Sequence, residues 1–231
     1  MEDNIYARTE MLLGKDGTDR LRAAHVAVFG VGGVGGFAVE ALVRAGVGSI
    51  TLVDADTVSL SNINRQIIAT HKTVGRYKTE VMRERIGEIN PDCKVKCHNL
   101  FYSEENDGIS LSDFDYVIDA IDSVRAKLHL IESAIKCHTP IISAMGAGNK
   151  LDPTRFTVTD ISKTHGCPLA KVIRTELRRR GINRLKVVFS DEEPIRKEGE
   201  RTPGSVSFVP SVAGLILAGE VIKDIARISA D

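Results

Sequence analysis

The chain has 231 residues, 42% of them apolar and 27% charged, and its 31 basic residues balance its 31 acidic ones. That is enough chain for one well-filled α/β core, or one core with a small annex. Zero net charge removes any global attraction for polyanions, so a nucleic-acid partner would have to be met by a local patch.

The N-terminal MEDNIYARTE is polar and lacks the apolar centre of a signal peptide. The first apolar strand covers residues 25–30 and runs straight into glycines, with a helix to follow over about 33–44. Ser49–Val53 is a second strand closed by Asp54, and Val74–Glu88 reads as a charged amphipathic helix stopped by Asn90-Pro91. Val95–Cys97 and Tyr116–Ala120 are the next strands; a helix over Val124–Lys136 and a strand at Ile141–Ala144 follow. Strands alternating with helices of this length imply an α/β fold with a doubly wound, mostly parallel sheet. After Gly148 the rhythm changes. Two further strands, Arg155–Thr159 and Leu185–Ser190, flank a basic helix over Pro168–Arg180 that Gly181 ends. Asp191–Gly204 reads as a mobile loop, and a helix over Ser211–Ile228 closes the chain. The division expected is a nucleotide-binding core over 1–148 and a substrate-side extension over 149–231, both within one domain.

The apolar stretch Val206–Ile222 contains Pro210 and Glu220 and is shorter than the roughly 20 residues a membrane span needs, so it reads as a buried helix. Cys93, Cys97, Cys137 and Cys167 form no CxxC pair, which excludes paired zinc knuckles and speaks against a disulfide framework. A cytoplasmic protein with reduced thiols and no membrane association is expected.

Three motifs carry chemistry. Gly30, Gly32, Gly33 and Gly35 punctuate a strand-to-helix turn, where bare backbone N–H groups and a helix N-terminus can approach phosphate oxygens. Asp54, at the end of the next strand, is placed to accept hydrogen bonds from ribose hydroxyls. The glycines alone do not separate NAD from ATP. The string Ser61-Asn62-Ile-Asn64-Arg65-Gln66, followed by Lys78, does. A nicotinamide site has no use for extra cations, whereas Arg65 and Lys78 suit a triphosphate from which pyrophosphate departs. Asp119-Ala-Ile-Asp122-Ser123 ends a central strand, where ligands of open α/β sheets bind. Asp122 is the candidate Mg²⁺ ligand, and Asp119 either shares that work or caps the following helix.

GVGGVG, Asp54, the SNxNRQ string, Lys78 and Asp122 together resemble the ubiquitin-activating superfamily of adenylating enzymes. The resemblance implies Asp54 on the ribose, Asn62, Arg65 and Lys78 on the phosphates, and Asp122 on Mg²⁺. It also implies that Arg8 reaches into the ATP site of a homodimer partner. No CxxC pairs of the sulfur-carrier adenylyltransferases are present. Instead Asp119–Arg125, Gly146–Thr154, Thr159–Thr164, Pro168–Lys171 and the LRRRG run are similar to the tRNA threonylcarbamoyladenosine dehydratases. That resemblance implies an ATP-dependent cyclisation of threonylcarbamoyladenosine in tRNA, with its carboxylate activated by adenylation. The alternative is adenylation of the C-terminus of a ubiquitin-like sulfur carrier; an NAD-dependent oxidoreductase and a regulatory nucleotide-binding module are more distant readings. The sequence identifies no sulfur-transfer partner.

Between Lys163 and Lys186 eight cations face one acid, Glu176, and Arg178, Arg179 and Arg180 are the peak of this candidate tRNA-binding patch. The turn Gly146–Asn149 offers carbonyls for a monovalent cation. Cys167 is the one thiol on a predicted loop, and a bystander role is expected because both reacting groups sit on one nucleoside.

Overall fold

The computed structural model describes residues 4–195 and 202–228. The middle of the expected loop at 191–204, residues 196–201, lies outside the described residues. Seven strands form one sheet: β1 (His25–Phe29), β2 (Ser49–Val53), β3 (Lys94–His98), β4 (Tyr116–Asp119), β5 (Ile141–Ala144), β6 (Phe156–Asp160) and β7 (Lys186–Ser190). Their spatial order is β3-β2-β1-β4-β5-β7-β6, parallel throughout except for the antiparallel β6–β7 pair at one edge. β1 and β4 are near-continuous apolar runs because helices cover both sheet faces. The residues after Gly148 therefore extend the same sheet rather than building a separate one.

The helices are α1 (Ala7–Ala23), α2 (Gly35–Ala45), α3 (Lys78–Ile89), α4 (Val124–Lys136), α5 (Pro168–Arg179) and α6 (Phe208–Ala226). α6 packs along α2 and α1, burying Val209, Ala213, Leu217 and Val221 in the main core. A second cluster joins α4 and α5 through Leu128, Ile131, Ile173 and Leu177.

Three boundaries differ from the sequence reading. α3 starts at Lys78, not Val74, because Gly75 at φ 88° sits in the left-handed region and ends the preceding turn. α6 starts three residues early, with Pro210 in its first turn, where a missing N–H costs nothing. The polar N-terminus folds as α1, broken at Gly14, and buries Gly17, Thr18 and Leu21.

Candidate active site

The sheet order reverses between β1 and β4, and the main cavity opens there, at the carboxyl ends of the strands. It measures about 890 Å³. Gly30 leaves β1 at φ 89°, where a Cβ would stand 2.6 Å from the Ala120 carbonyl oxygen. A Cβ on Gly35 would stand 1.8 Å from the Gly30 oxygen, so the start of α2 closes directly onto the turn. Gly32 is different: its nearest neighbour would be Gln66 Nε2 at 3.8 Å, and the open space belongs to the cavity. Two glycines thus fold the loop and one leaves room for a ligand above it.

Asp54 leaves β2 with its carboxylate turned into the loop. Oδ2 accepts from the Val31 N–H at 2.6 Å and Oδ1 from the Asp56 N–H at 2.8 Å. Burial pushes this carboxyl above the usual carboxylate range, against the opposing pull of Lys78 and the two N–H donors. Lys78 opens α3 almost fully buried, with Nζ 2.6 Å from Asp56 and 4.0 Å from Asp54. The SNxNRQ string forms a 3₁₀ turn over Leu60–Asn62, in which Asn62 Oδ1 accepts from the Ser59 N–H. Arg65 is half-buried, and one guanidinium nitrogen donates to the Ser61 carbonyl and Asn64 Oδ1, both at 2.9 Å. Gln66 is buried against the loop, and its Oε1 has no hydrogen-bond partner among the described residues.

Gly30, Gly32, Gly33, Asp54, Asn62, Arg65, Lys78 and Asp122 all border this one cavity. Gly35 does not: it acts from beneath, through its contact with Gly30. Asp119 and Asp122 have opposite fates. Asp119 is wholly buried, its Oδ2 held by Lys127 Nζ at 2.7 Å and Ser143 Oγ at 2.5 Å, its Oδ1 by the Ile121 N–H. It neither binds metal from there nor caps α4, whose cap is Ser123. Asp122, three residues on, is exposed at the cavity wall.

Arg8 and Arg178–Arg180 lie away from the cavity. Arg8 is exposed on α1. At the end of α5 Arg179 pairs with Glu176 at 2.6 Å, and Arg180 faces Glu132 at 3.5 Å and Glu176 at 3.7 Å. Lys186 is engaged by Asp224. The basic run therefore does not form one free patch.

The sequence reading missed one side wall; of the other it marked the Gly146–Asn149 turn, Cys167 and Pro168–Lys171, without giving Met145 or Lys150 a role. Leu100, Phe101 and Tyr102, after β3, give an apolar wall on the Asp54 side, with Phe101 59% exposed. Across the cavity lie Met145, Lys150, Cys167, Pro168 and Leu169. Lys150 is buried, donates to the Ser190 carbonyl at 3.2 Å and to the Glu192 carbonyl, and burial pulls its amine below the ordinary lysine range. No sequence signal marks it, because its acceptors lie some forty residues away.

A backbone cradle at a helix N-terminus, a buried ribose-type carboxylate and two cations define a nucleotide-binding α/β protein charged for a polyphosphate. The chain belongs to the ThiF family, whose sequence model matches residues 6–230. It is 48% identical to the tRNA threonylcarbamoyladenosine dehydratase of Bacillus subtilis, over 96% of this chain and 94% of that one. The crystal structure of the Escherichia coli tRNA N6-threonylcarbamoyladenosine dehydratase in complex with AMP superposes with a TM-score of 0.87 at 36% identity, covering 95% of this chain and 93% of that one. The same E. coli enzyme in complex with ATP also gives 0.87. The E. coli molybdopterin-synthase adenylyltransferase is more distant, at 32% identity over 70% of this chain and 66% of that one.

Proposed function

We propose that the chain is an ATP-dependent tRNA threonylcarbamoyladenosine dehydratase. The observation that carries this is one continuous cavity with two walls of different chemistry. A glycine cradle, Asp54 and two cations occupy one side; the Met145–Lys150 turn and the start of α5 occupy the other. A nucleotide and an acyl-bearing nucleoside can lie there side by side.

The chemistry balances without a covalent enzyme intermediate. A carboxylate oxygen of the threonyl group attacks the α-phosphorus of ATP, and pyrophosphate leaves. The carbamoyl group of the same side chain then attacks the activated acyl carbon, and AMP leaves carrying that oxygen. The nucleoside has lost one water, the protons passing to solvent. Because both partners hang from one base, proximity replaces an enzyme nucleophile. Cys167, buried in the far wall, is spectator to this reading.

Asp54 binds the ribose of ATP, while Gly32 leaves room for its phosphates. Asn62, Arg65 and Lys78 hold those phosphates, and the two cations take up the charge that develops on pyrophosphate. Among the described residues no cluster of three metal ligands exists. That fits Mg²⁺, which characteristically takes one or two carboxylates and completes its shell with phosphates and water. Asp122 is the carboxylate in position for it. When bound, the metal neutralises phosphate charge. A monovalent cation at the Gly146–Asn149 turn, a cytoplasmic setting and a homodimer in which Arg8 completes the partner's site belong to the same reading. No helix among the described residues is long and apolar enough to cross a membrane. At the arginine-rich end of α5, one or two of Arg178, Arg179 and Arg180 meet the tRNA, and Arg178 is the one without an ion pair among the described residues.

The test is incubation with ATP and tRNA carrying threonylcarbamoyladenosine, then nucleoside mass spectrometry for the loss of one water. Pyrophosphate release with a ubiquitin-like carrier protein, and none with the modified tRNA, would overturn the assignment in favour of the sulfur-carrier alternative.

A further inference from the structure

We propose that a single strand of the RNA substrate runs outward from the cavity along the exposed face of α5, with its phosphates held by Lys171 and Arg178. The inference rests on the dehydratase reading, which supplies the RNA. It is built on how α5 distributes its charges.

α5 starts at the cavity: Pro168 and Leu169, its first two residues, line it. Residues seven apart on a helix differ by only about 20° in direction, so Lys171 and Arg178 lie on one stripe. Both are exposed, and Thr175 between them is exposed too. Among the described residues neither cation forms an ion pair. The other cations of the helix are already engaged. Arg174 turns inward to the Thr164 carbonyl and hydroxyl at 2.7 and 2.6 Å, and Arg179 and Arg180 face Glu176 and Glu132. The single acid of α5, Glu176, is thereby drawn away from the stripe.

What remains is a two-point track with a direction. At about 1.5 Å per residue, Lys171 stands roughly 4.5 Å and Arg178 roughly 15 Å along the axis from Pro168. A reacting nucleoside in the cavity therefore has one phosphate contact one turn away and another only several nucleotides along the strand. Arg178, rather than all three consecutive arginines, is the distal contact. Lys171, which contributes nothing to the arginine cluster in sequence, is the proximal one.

The experiment is a salt titration of binding to tRNA carrying threonylcarbamoyladenosine, for the parent and for K171A, R178A and the double variant. Each lost single-strand phosphate contact lowers the slope of log affinity against log salt by about 0.7, so the double variant loses about 1.4. R44A, on the opposite part of the fold, keeps the parental slope. ATP affinity, measured on every variant, verifies the fold. Slopes of K171A and R178A that match a parent still able to dehydrate the tRNA would overturn the track and leave the dehydratase reading standing. A parent that dehydrates no modified tRNA would overturn that reading and the track together.

Discussion

Gly32 and Gly35 stand three residues apart in one motif, and the structure assigns them opposite sensitivities. At Gly32 an added Cβ meets nothing closer than 3.8 Å, and its φ is outside the left-handed region. Gly32→Ala therefore loses no native contact and restricts the unfolded chain, a gain of about 0.4–1 kcal/mol. For a chain of this size that raises Tm by about 1–4 °C. The same methyl group occupies the space where a phosphate would sit on the loop. Losing one charge-assisted hydrogen bond there costs about 1.5–3 kcal/mol, or roughly 10- to 150-fold in ATP affinity. At Gly35 the Cβ would lie 1.8 Å from a backbone oxygen that cannot rotate away. Gly35→Ala must push α2 off the loop, at about 3 kcal/mol or more, lowering Tm by about 6–12 °C. Thermal melts followed by circular dichroism give the first quantity and titration calorimetry with ATP the second. A Gly32→Ala protein that binds ATP as tightly as the parent would refute the placement of the phosphates on that face. A Gly35→Ala protein that melts with the parent would refute the close-approach argument.

Lys78→Ala should lose about 10²- to 10³-fold in adenylation rate but much less in ATP affinity, since its contact strengthens as pyrophosphate leaves; equal losses in single-turnover rate and Kd would contradict this. Cys167→Ser should retain most dehydration activity, and complete loss in a variant that still folds and binds ATP would instead make the thiol an acyl acceptor. Mixing Arg8→Ala with Lys78→Ala protein should restore activity through one intact site per heterodimer; no rescue despite demonstrated subunit exchange would count against a shared site.

The parallel sheet was legible because its strands are short, apolar and punctuated by glycines and prolines, and the glycine loop because close backbone approach admits so few residue types. α1 was not. Its 17 residues are polar on average, and its three buried positions make sense only once α6, more than 180 residues later, lies beside it. The basic run misled for a related reason. Charge summed along the chain counts Arg180 as free, whereas Glu132 opposes it from α4, an element the run does not contain. The motif residues of the glycine-loop side came together around one cavity, and Gly146–Asn149, Cys167 and Pro168 on the opposite wall were marked too; Lys150 and Met145 were given no role, because they take their meaning from neighbours on β7 and α5.

Among the described residues are two buried lysine–aspartate pairs, Lys127–Asp119 and Lys78–Asp54, and their difference bears on where the nucleotide is proposed to bind. In Lys127–Asp119 both side chains are fully buried, the contact is 2.7 Å, and Ser143, the Ala144 carbonyl and the Ile121 N–H complete the hydrogen bonding. Such a network ties the ends of β4 and β5 together, with three hydrogen bonds on the Asp119 carboxylate and all three Lys127 donors used within the protein. In Lys78–Asp54 the separation is 4.0 Å, and Lys78 leans instead on Asp56, an exposed partner. Asp54 receives one backbone N–H on each oxygen, about half of what a carboxylate accepts. Burial accordingly holds its pKa up, which means the charged form is under-solvated. An acid whose folded pKa is raised contributes stability below its unfolded value and loses it as pH rises through the folded one. Near neutral pH the charged Asp54 carboxylate thus carries an electrostatic cost that hydroxyl donors can offset. On the proposed reading a ribose supplies two such donors, and the phosphates beyond it give Lys78 the anions that Asp54 is too far away to provide. The satisfied pair is scaffold, and the unsatisfied one supports the proposed placement of the nucleotide.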